Sequence, residues 1–201
     1  MLTAVGLGPG DPELLTLRAV RLLKEADAVF VPGGIARRLV EPYCDPVELS
    51  FPMSYNEDEI SNQIEKNAER IAPIAKSGNA VFGIIGDPNI FSTFSRLCSV
   101  ITERFPDILI NTVPGVSSIT ALTSITGRPI NGGFSVSDGS PEVVRIRMKV
   151  TRPRQVAEEL KTDGYSRFVL IERMYMEGMQ VFTDDLPEES SYFSLLFAEK
   201  S

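Results

Sequence analysis

Two hundred and one residues, 43% of them hydrophobic, can bury a core in one domain or two small ones, and they are too apolar for a disordered or fibrous chain. A formal charge of −7 without any run of Lys or Arg disfavours a basic nucleic-acid face, so no nucleic-acid partner is expected. The absence of His excludes imidazole bases, Ser-His-Asp triads and His-ligated metals.

Cys44 and Cys98 stand far apart and lack the spacing of a zinc site or disulfide framework; they read as buried thiols of a reducing cytoplasm, and no metal is expected. The first residues run directly into an apolar stretch with no basic segment before it. No later apolar run approaches the roughly 18 residues of a membrane span, so a soluble, untargeted, cytoplasmic chain is the expectation.

In chain order, an apolar strand over Leu2 to Leu7 precedes an amphipathic helix from Leu17 to Ala26, capped by Thr16, with Leu17, Val20, Leu23 and Ala26 at helical spacing. A strand at Ala28 to Val31, a charged helix from Glu57 to Lys76 and a buried strand from Ala80 to Ile85 come next. A helix from Ser92 to Arg104 carries Phe94, Leu97, Cys98 and Ile101 on one face, and a strand from Ile108 to Val113 ends at Pro114-Gly115. This alternation predicts a mostly parallel sheet flanked by helices.

Beyond Phe134 the texture changes. Strand-like runs lie at Phe134 to Val136, Val143 to Val150, Phe168 to Glu172, Met179 to Phe182 and Tyr192 to Ala198, with one helix at Pro153 to Lys161. Consecutive strands joined by the acidic loop Asp184 to Ser190 suggest a mixed or antiparallel sheet. Two α/β domains are therefore expected, 1–113 with a mostly parallel sheet and 114–201 with a mixed one.

Three glycine and proline loops follow three of the first-half strands. "VGLGPGDPELLT", residues 5–16, places Asp11 where a dinucleotide fingerprint needs its third glycine, and it lacks the Gly-Lys-Ser/Thr end of a P-loop, so phosphate cradling is disfavoured. What remains is a tight strand-to-helix turn or a backbone lining for some other ligand. In "GDPNIFST", residues 86–93, Gly86 permits close backbone approach at a strand's carboxyl end and Asp87 is a candidate acceptor from hydroxyls or an ammonium; a plain turn with Ser92 capping the next helix is the alternative. "VPGVSS", residues 113–118, offers Ser117 and Ser118 either as ligand contacts or as helix caps.

The order and spacing of "VGLGPGDPELLTLRAV", "IGDPNIFSTF", "VPGVSS" and the closing "YFSLLFAE" resemble the tetrapyrrole (corrin/porphyrin) methylase family over nearly the whole chain, and within it most closely the branch that methylates C20 of precorrin-2 or cobalt-precorrin-2 in cobalamin biosynthesis. The resemblance implies a homodimeric C-methyltransferase using S-adenosyl-L-methionine on a small-molecule tetrapyrrole. It implies donor contacts in a trough between the domains at Pro9, Ile85, Gly86, Asp87, Ile90, Ser117, Ser118, Met148 and Met174, with Phe91, Ser92 and Thr93 close by, and Asp11 toward the substrate.

A donor with a sulfonium and no phosphate suits an acidic, lysine-free loop. The polycarboxylate substrate calls for local arginines, with Arg37, Arg38, Arg96, Arg128, Arg145 and Arg147 as candidates and the last two alternating onto one strand face. No catalytic base is identified. The segment between Phe134 and Arg147 is shorter than the resemblance leads one to expect. A methylase of the same fold acting on a diphthine precursor, a siroheme intermediate or ribosomal RNA is the competing enzyme reading, and a noncatalytic ligand-binding scaffold the competing non-enzyme one.

Overall fold

The computed structural model describes residues 1–52 and 56–201. The chain divides into two compact units, Met1–Gly133 and Phe134–Ser201. The division thus falls later than the 113/114 expected from sequence, because the loop after Val113 is bound into the first unit through its backbone, as described below.

The first unit runs β1 (Leu2–Gly6), α1 (Leu17–Glu25), β2 (Ala28–Val31), α2 (Gly34–Val40), β3 (Val47–Glu48), α3 (Glu57–Ser77), β4 (Ala80–Ile84), α4 (Phe94–Arg104), β5 (Ile110–Val113) and α5 (Ser118–Thr126). Its strands form one sheet in the order β3-β2-β4-β1-β5, with every pairing parallel. A strand buried on both faces has no need of polar alternation, and β1 and β4 are buried at every position.

The two faces carry separate cores. Leu2, Ala4, Phe30, Phe82 and Ile84 pack with Ile64, Ala68 and Ile71 of α3 and Phe94, Leu97 and Ile101 of α4. Val5, Leu7, Val29, Val31 and Val81 pack with Ala19 and Leu23 of α1 and Ala36, Leu39 and Val40 of α2. The neighbouring strands β1 and β4 therefore feed helices on opposite faces. That reversal opens a crevice outside their carboxyl ends, the place where open parallel sheets bind ligands.

Local signals account for the helices. Thr16 caps α1 by accepting the Ala19 N–H at 3.1 Å, as its position predicts. Leu17 is 91% exposed, so the buried stripe of α1 is Ala19 and Leu23 rather than one beginning at Leu17. Asn56 caps α3, whose first turn holds Glu57, Asp58 and Glu59 against the helix dipole.

The second unit contains β6 (Val144–Met148), α6 (Pro153–Thr162), β7 (Tyr165–Glu172), β8 (Gln180–Thr183) and β9 (Ser194–Lys200). Its sheet, ordered β6-β9-β7-β8, is antiparallel throughout rather than mixed. Leu160 and Ala157 of α6 meet Tyr165, Phe168, Leu170, Leu196 and Ala198 on one face. β8 and β9 are not neighbours. The acidic segment between them crosses past β7 and is pinned by Leu186, which is buried in that core and whose carbonyl accepts from Arg154 Nε at 2.6 Å. The run Phe134 to Val136 forms no strand, for no partner strand lies beside it among the described residues.

Candidate functional site

At the carboxyl edge of the first sheet the three loops meet. The Gly86 N–H donates to the Gly8 carbonyl at 2.8 Å, an antiparallel bridge that joins the loop after β1 to the loop after β4. Asp87 ties the second loop to the third, since Oδ2 accepts the Gly115 N–H at 3.1 Å while Oδ1 accepts the Asn89 N–H at 2.9 Å. Asn89 Nδ2 adds a further tie, donating to Thr112 Oγ1 at 3.0 Å.

Three glycines make this approach possible. A Cβ on Gly115 would sit 2.2 Å from the Gly86 carbonyl oxygen, and one on Gly6 would sit 2.4 Å from the Gly115 nitrogen. Gly86 is different. Its φ of +77° excludes most side chains, but the space a Cβ would occupy is open, leaving backbone accessible at the centre of the crevice. Gly6 in particular was not singled out from sequence, although a glycine closing an otherwise aliphatic strand was the available signal.

Around this clasp lie the expected donor contacts of the first unit. Pro9 and Ile85 are half-buried, and Ile90 and Phe91 are exposed, Phe91 at 65% with a left-handed φ of +46°. Ser92 Oγ accepts the N–H of Phe94, the first residue of α4, at 3.1 Å, and Ser117 Oγ caps α5 by accepting the Ile119 N–H at 3.2 Å. Thr93 and Ser118 are exposed beside them. Asp11 is exposed and caps the turn Pro12–Leu14 by accepting the Glu13 N–H at 2.9 Å.

Residues 5–12, 84–93 and 112–118 contain no Lys or Arg. An edge made of backbone amides, hydroxyls, apolar side chains and two aspartates has the donor and acceptor set for a sulfonium-bearing nucleoside with an amino-acid tail. It lacks what a phosphate requires.

The remaining expected residues fall into distinct settings. Arg37 is committed to carboxylates, with Glu41, Asp45 and Glu48 within 3.8 Å, whereas Arg38 has no ion pair among the described residues. Arg145 and Arg147 do share one face of β6, opposite Ala198 and Leu196, but their environments differ. Arg145 bonds Glu142 at 2.9 Å and Asp163 at 2.6 Å and lies over the Tyr165 ring; Arg147 is exposed without an ion pair among the described residues. The hydrogen bonds from Arg145 and from the Tyr165 hydroxyl, 2.8 Å away, hold the Glu142 carboxyl down at about 2. Burial pushes the Cys44 thiol up, and Cys44 and Cys98 are free and half-buried.

Met148 and Met174 belong to the second unit, where both stand at one end of the sheet: Met148 closes β6, and Met174 follows the end of β7 by two residues. Both are exposed. Elsewhere, a groove of about 700 Å³ flanks the edge strand β5, but Asp107 is the single charged residue in its lining, which gives it little to orient a ligand.

An all-parallel sheet with a glycine-clasped crevice at its switch point, followed in the chain by an antiparallel α/β unit, defines a two-unit α/β protein with a small-molecule edge. The family description Tetrapyrrole (Corrin/Porphyrin) Methylases matches residues 1–188, and the chain belongs to that family. It is 34% identical over 138 residues to the "Probable cobalt-precorrin-2 C(20)-methyltransferase" of Methanocaldococcus jannaschii, a match covering 64% of this chain and 58% of the relative. The chain thus spans less than two thirds of that relative's length. It is 27% identical over 231 residues to the precorrin-2 C(20)-methyltransferase of Sinorhizobium sp, covering 97% of this chain and 93% of that one. Among solved structures, a "putative cobalamin synthesis related protein (CobF)" from Corynebacterium diphtheriae superposes with a TM-score of 0.54 at 14% identity, covering 100% of this chain and 98% of that one, which supports the fold. No helix among the described residues is long and apolar enough to cross a membrane.

Proposed function

We propose that this chain is an S-adenosyl-L-methionine-dependent C-methyltransferase of cobalamin biosynthesis, acting on C20 of precorrin-2 or cobalt-precorrin-2. The observation that carries the reading is the clasp of Gly8, Gly86, Asp87 and Gly115, which brings three loops to one crevice with open backbone and no basic side chain. The names of the archaeal and bacterial relatives support the C20 assignment.

The donor supplies a methyl group on a good leaving group, so the protein's work is alignment, which contributes on the order of 7 to 11 kcal/mol in well-oriented systems. Gly86 and its flanking amides hold the amino-acid and ribose groups, and Ile90 and Phe91 shield the reacting sulfur from water. Ser117 and Ser118 orient polar groups from the third loop. Asp11 faces the substrate. Arg38 and Arg147, free of ion pairs among the described residues, remain the candidates for its carboxylates, whereas Arg37 and Arg145 hold their own unit together. The active form is a homodimer, consistent with Leu122 and Ile125 standing exposed on α5.

The test is methyl transfer from isotopically labelled donor to reduced, dimethylated tetrapyrrole with and without cobalt, with the methylated carbon located by NMR. Label at C20 is the expected result. Binding of S-adenosylhomocysteine without transfer to either substrate overturns the substrate assignment, and absence of binding overturns the methyltransferase itself. Light scattering checks the dimer.

A further inference from the structure

An asparagine followed by glycine sets a side-chain amide beside the least hindered of backbone nitrogens, and the pair occurs once in this chain, at Asn131-Gly132. The asparagines at 56, 62, 67, 79, 89 and 111 all precede residues that carry a side chain. Aspartate precedes glycine at Asp138-Gly139 and Asp163-Gly164. The chain therefore has three places where a five-membered ring can close between a side-chain carbonyl carbon and the next nitrogen with no side chain in the way.

Hydrogen bonds tell the three apart. The Gly139 N–H donates to Ser137 Oγ at 2.9 Å, and Asp138 Oδ1 accepts the Ser140 N–H at 3.0 Å and its hydroxyl at 2.6 Å. The Gly164 N–H donates to the Lys161 carbonyl at 3.1 Å, and Asp163 Oδ2 accepts from Arg145 at 2.6 Å. In both pairs the nitrogen and the carboxylate are held to other partners, and an ionised carboxylate resists attack besides. Asn131 stands in the opposite setting. Among the described residues no hydrogen bond engages its side chain or the Gly132 N–H, neither residue belongs to a helix or strand, and residues 124–143 are exposed without a break. The space around Gly132 is open where a Cβ would stand, so nothing blocks the approach of its nitrogen to the amide carbon. Other asparagines are restrained by their elements: Asn62 and Asn67 lie within α3, Asn111 lies in β5, and Asn89 is tied to Thr112.

We propose that Asn131 is a site of self-modification, converted by intramolecular deamidation to aspartate and isoaspartate. The Gly132 nitrogen gives its proton to a solvent base and attacks Asn131 Cγ. The N–Cγ bond forms, the Cγ–Nδ2 bond breaks, and ammonia leaves with a proton taken back from water, which produces a succinimide. Water then opens the ring. Addition at Cγ restores the normal chain with an aspartate side chain, whereas addition at the main-chain carbonyl carbon leaves the chain running through Cβ and Cγ. The net change is asparagine plus water to carboxylate plus ammonium, with water as the one co-reactant and nothing oxidised or reduced. Either product adds a negative charge to a chain of net charge −7, and isoaspartate lengthens the backbone by a methylene just before the division between Gly133 and Phe134. The inference is independent of the methyltransferase reading.

The test follows the full chain over time at neutral pH and physiological temperature. Samples are digested at mildly acidic pH and mapped by liquid chromatography with mass spectrometry, which separates the asparaginyl, aspartyl and isoaspartyl forms of each peptide. Two comparisons accompany it: the Gly132→Ala variant, and a synthetic peptide of residues 127–136 as the unrestrained reference. Gly132 is outside the left-handed region and has room for a Cβ, so the variant is expected to fold as the parent does, which near-ultraviolet circular dichroism checks. Asn131 is expected to convert at least about tenfold faster than any other asparagine and within about threefold of the free peptide, and Gly132→Ala to slow it at least about tenfold. Conversion no faster than at Asn62 or Asn111, an Asn131 that stays intact while the peptide converts, or an unchanged rate in folded Gly132→Ala overturns the proposal.

Discussion

At the scale of single residues, the candidate site depends on the absence of a methyl group. Gly115 lies so near the Gly86 carbonyl and Gly6 that an added Cβ has only backbone to displace, and forcing such contacts typically costs about 1 to 3 kcal/mol. Gly115→Ala is therefore expected to melt lower and to lose at least about tenfold in S-adenosylhomocysteine affinity by calorimetry, because the loops separate where the donor would bind. Gly34→Ala, with open space around it in the first turn of α2, should match the parent in both measurements. Equal behaviour of the two variants would separate the clasp from ligand binding. Glu142 gives a prediction that depends on pH. Its carboxyl is depressed from 4.5 to about 2 by Arg145 and Tyr165, so the stabilisation is full above the ordinary value and disappears as pH falls through about 2. Glu142→Gln is thus expected to lower the denaturation midpoint at about pH 6 and to converge with the parent near about pH 2. A constant difference across that window would mean that packing, not charge, is lost.

Among elements, burial decides more than the number of ion pairs. Arg104 of α4 reaches Glu65 and Glu69 of α3 at 2.9 Å each, but all three side chains are more than a third exposed, and exposed pairs of this kind contribute about 0.2 to 1 kcal/mol. Leu160 of α6 is 1% exposed, and this helix covers the core face of the second sheet. Leu160→Ala is expected to cost about 2 to 5 kcal/mol in denaturant unfolding, and Arg104→Ala less than about 1; the reverse ranking would refute the weight given to the core. The same contrast explains what could be read from sequence. α4 and β4 were legible because long apolar periodicity is a sign of burial, and Thr16 because a cap is local chemistry. α2 and β3 were not, at seven and two residues, since neither fills a window in which periodicity emerges. Leu17 has the right spacing for a core position but precedes the turn that reaches the sheet, and Phe134 to Val136 has strand composition without a partner. Three loops at strand ends suggested one site; the clasp itself, made of an Asp87 carboxylate and backbone, depends on strand order, which no local pattern states.

For the molecule as a whole, the sign of the charge sets how a macrocycle arrives, and the local cations set how long it stays. At about 10 mM ionic strength the screening length is about 30 Å, so a polycarboxylate approaches a chain of net charge −7 against repulsion from most of its surface. At about 150 mM the length falls to about 8 Å, and the distant carboxylates no longer act, whereas contacts made at hydrogen-bond range by cations such as Arg38 and Arg147 are screened much less. The association rate of uroporphyrin, followed by stopped-flow quenching, is therefore expected to rise with salt over that interval, opposite to the usual behaviour of a basic anion-binding protein. Arg38→Gln and Arg147→Gln should instead act mainly on the dissociation rate, because they remove contacts formed after encounter. If the parent's association rate falls steeply with salt, long-range attraction dominates, and the ligand's path is governed by a local basic surface that outweighs the net charge of −7.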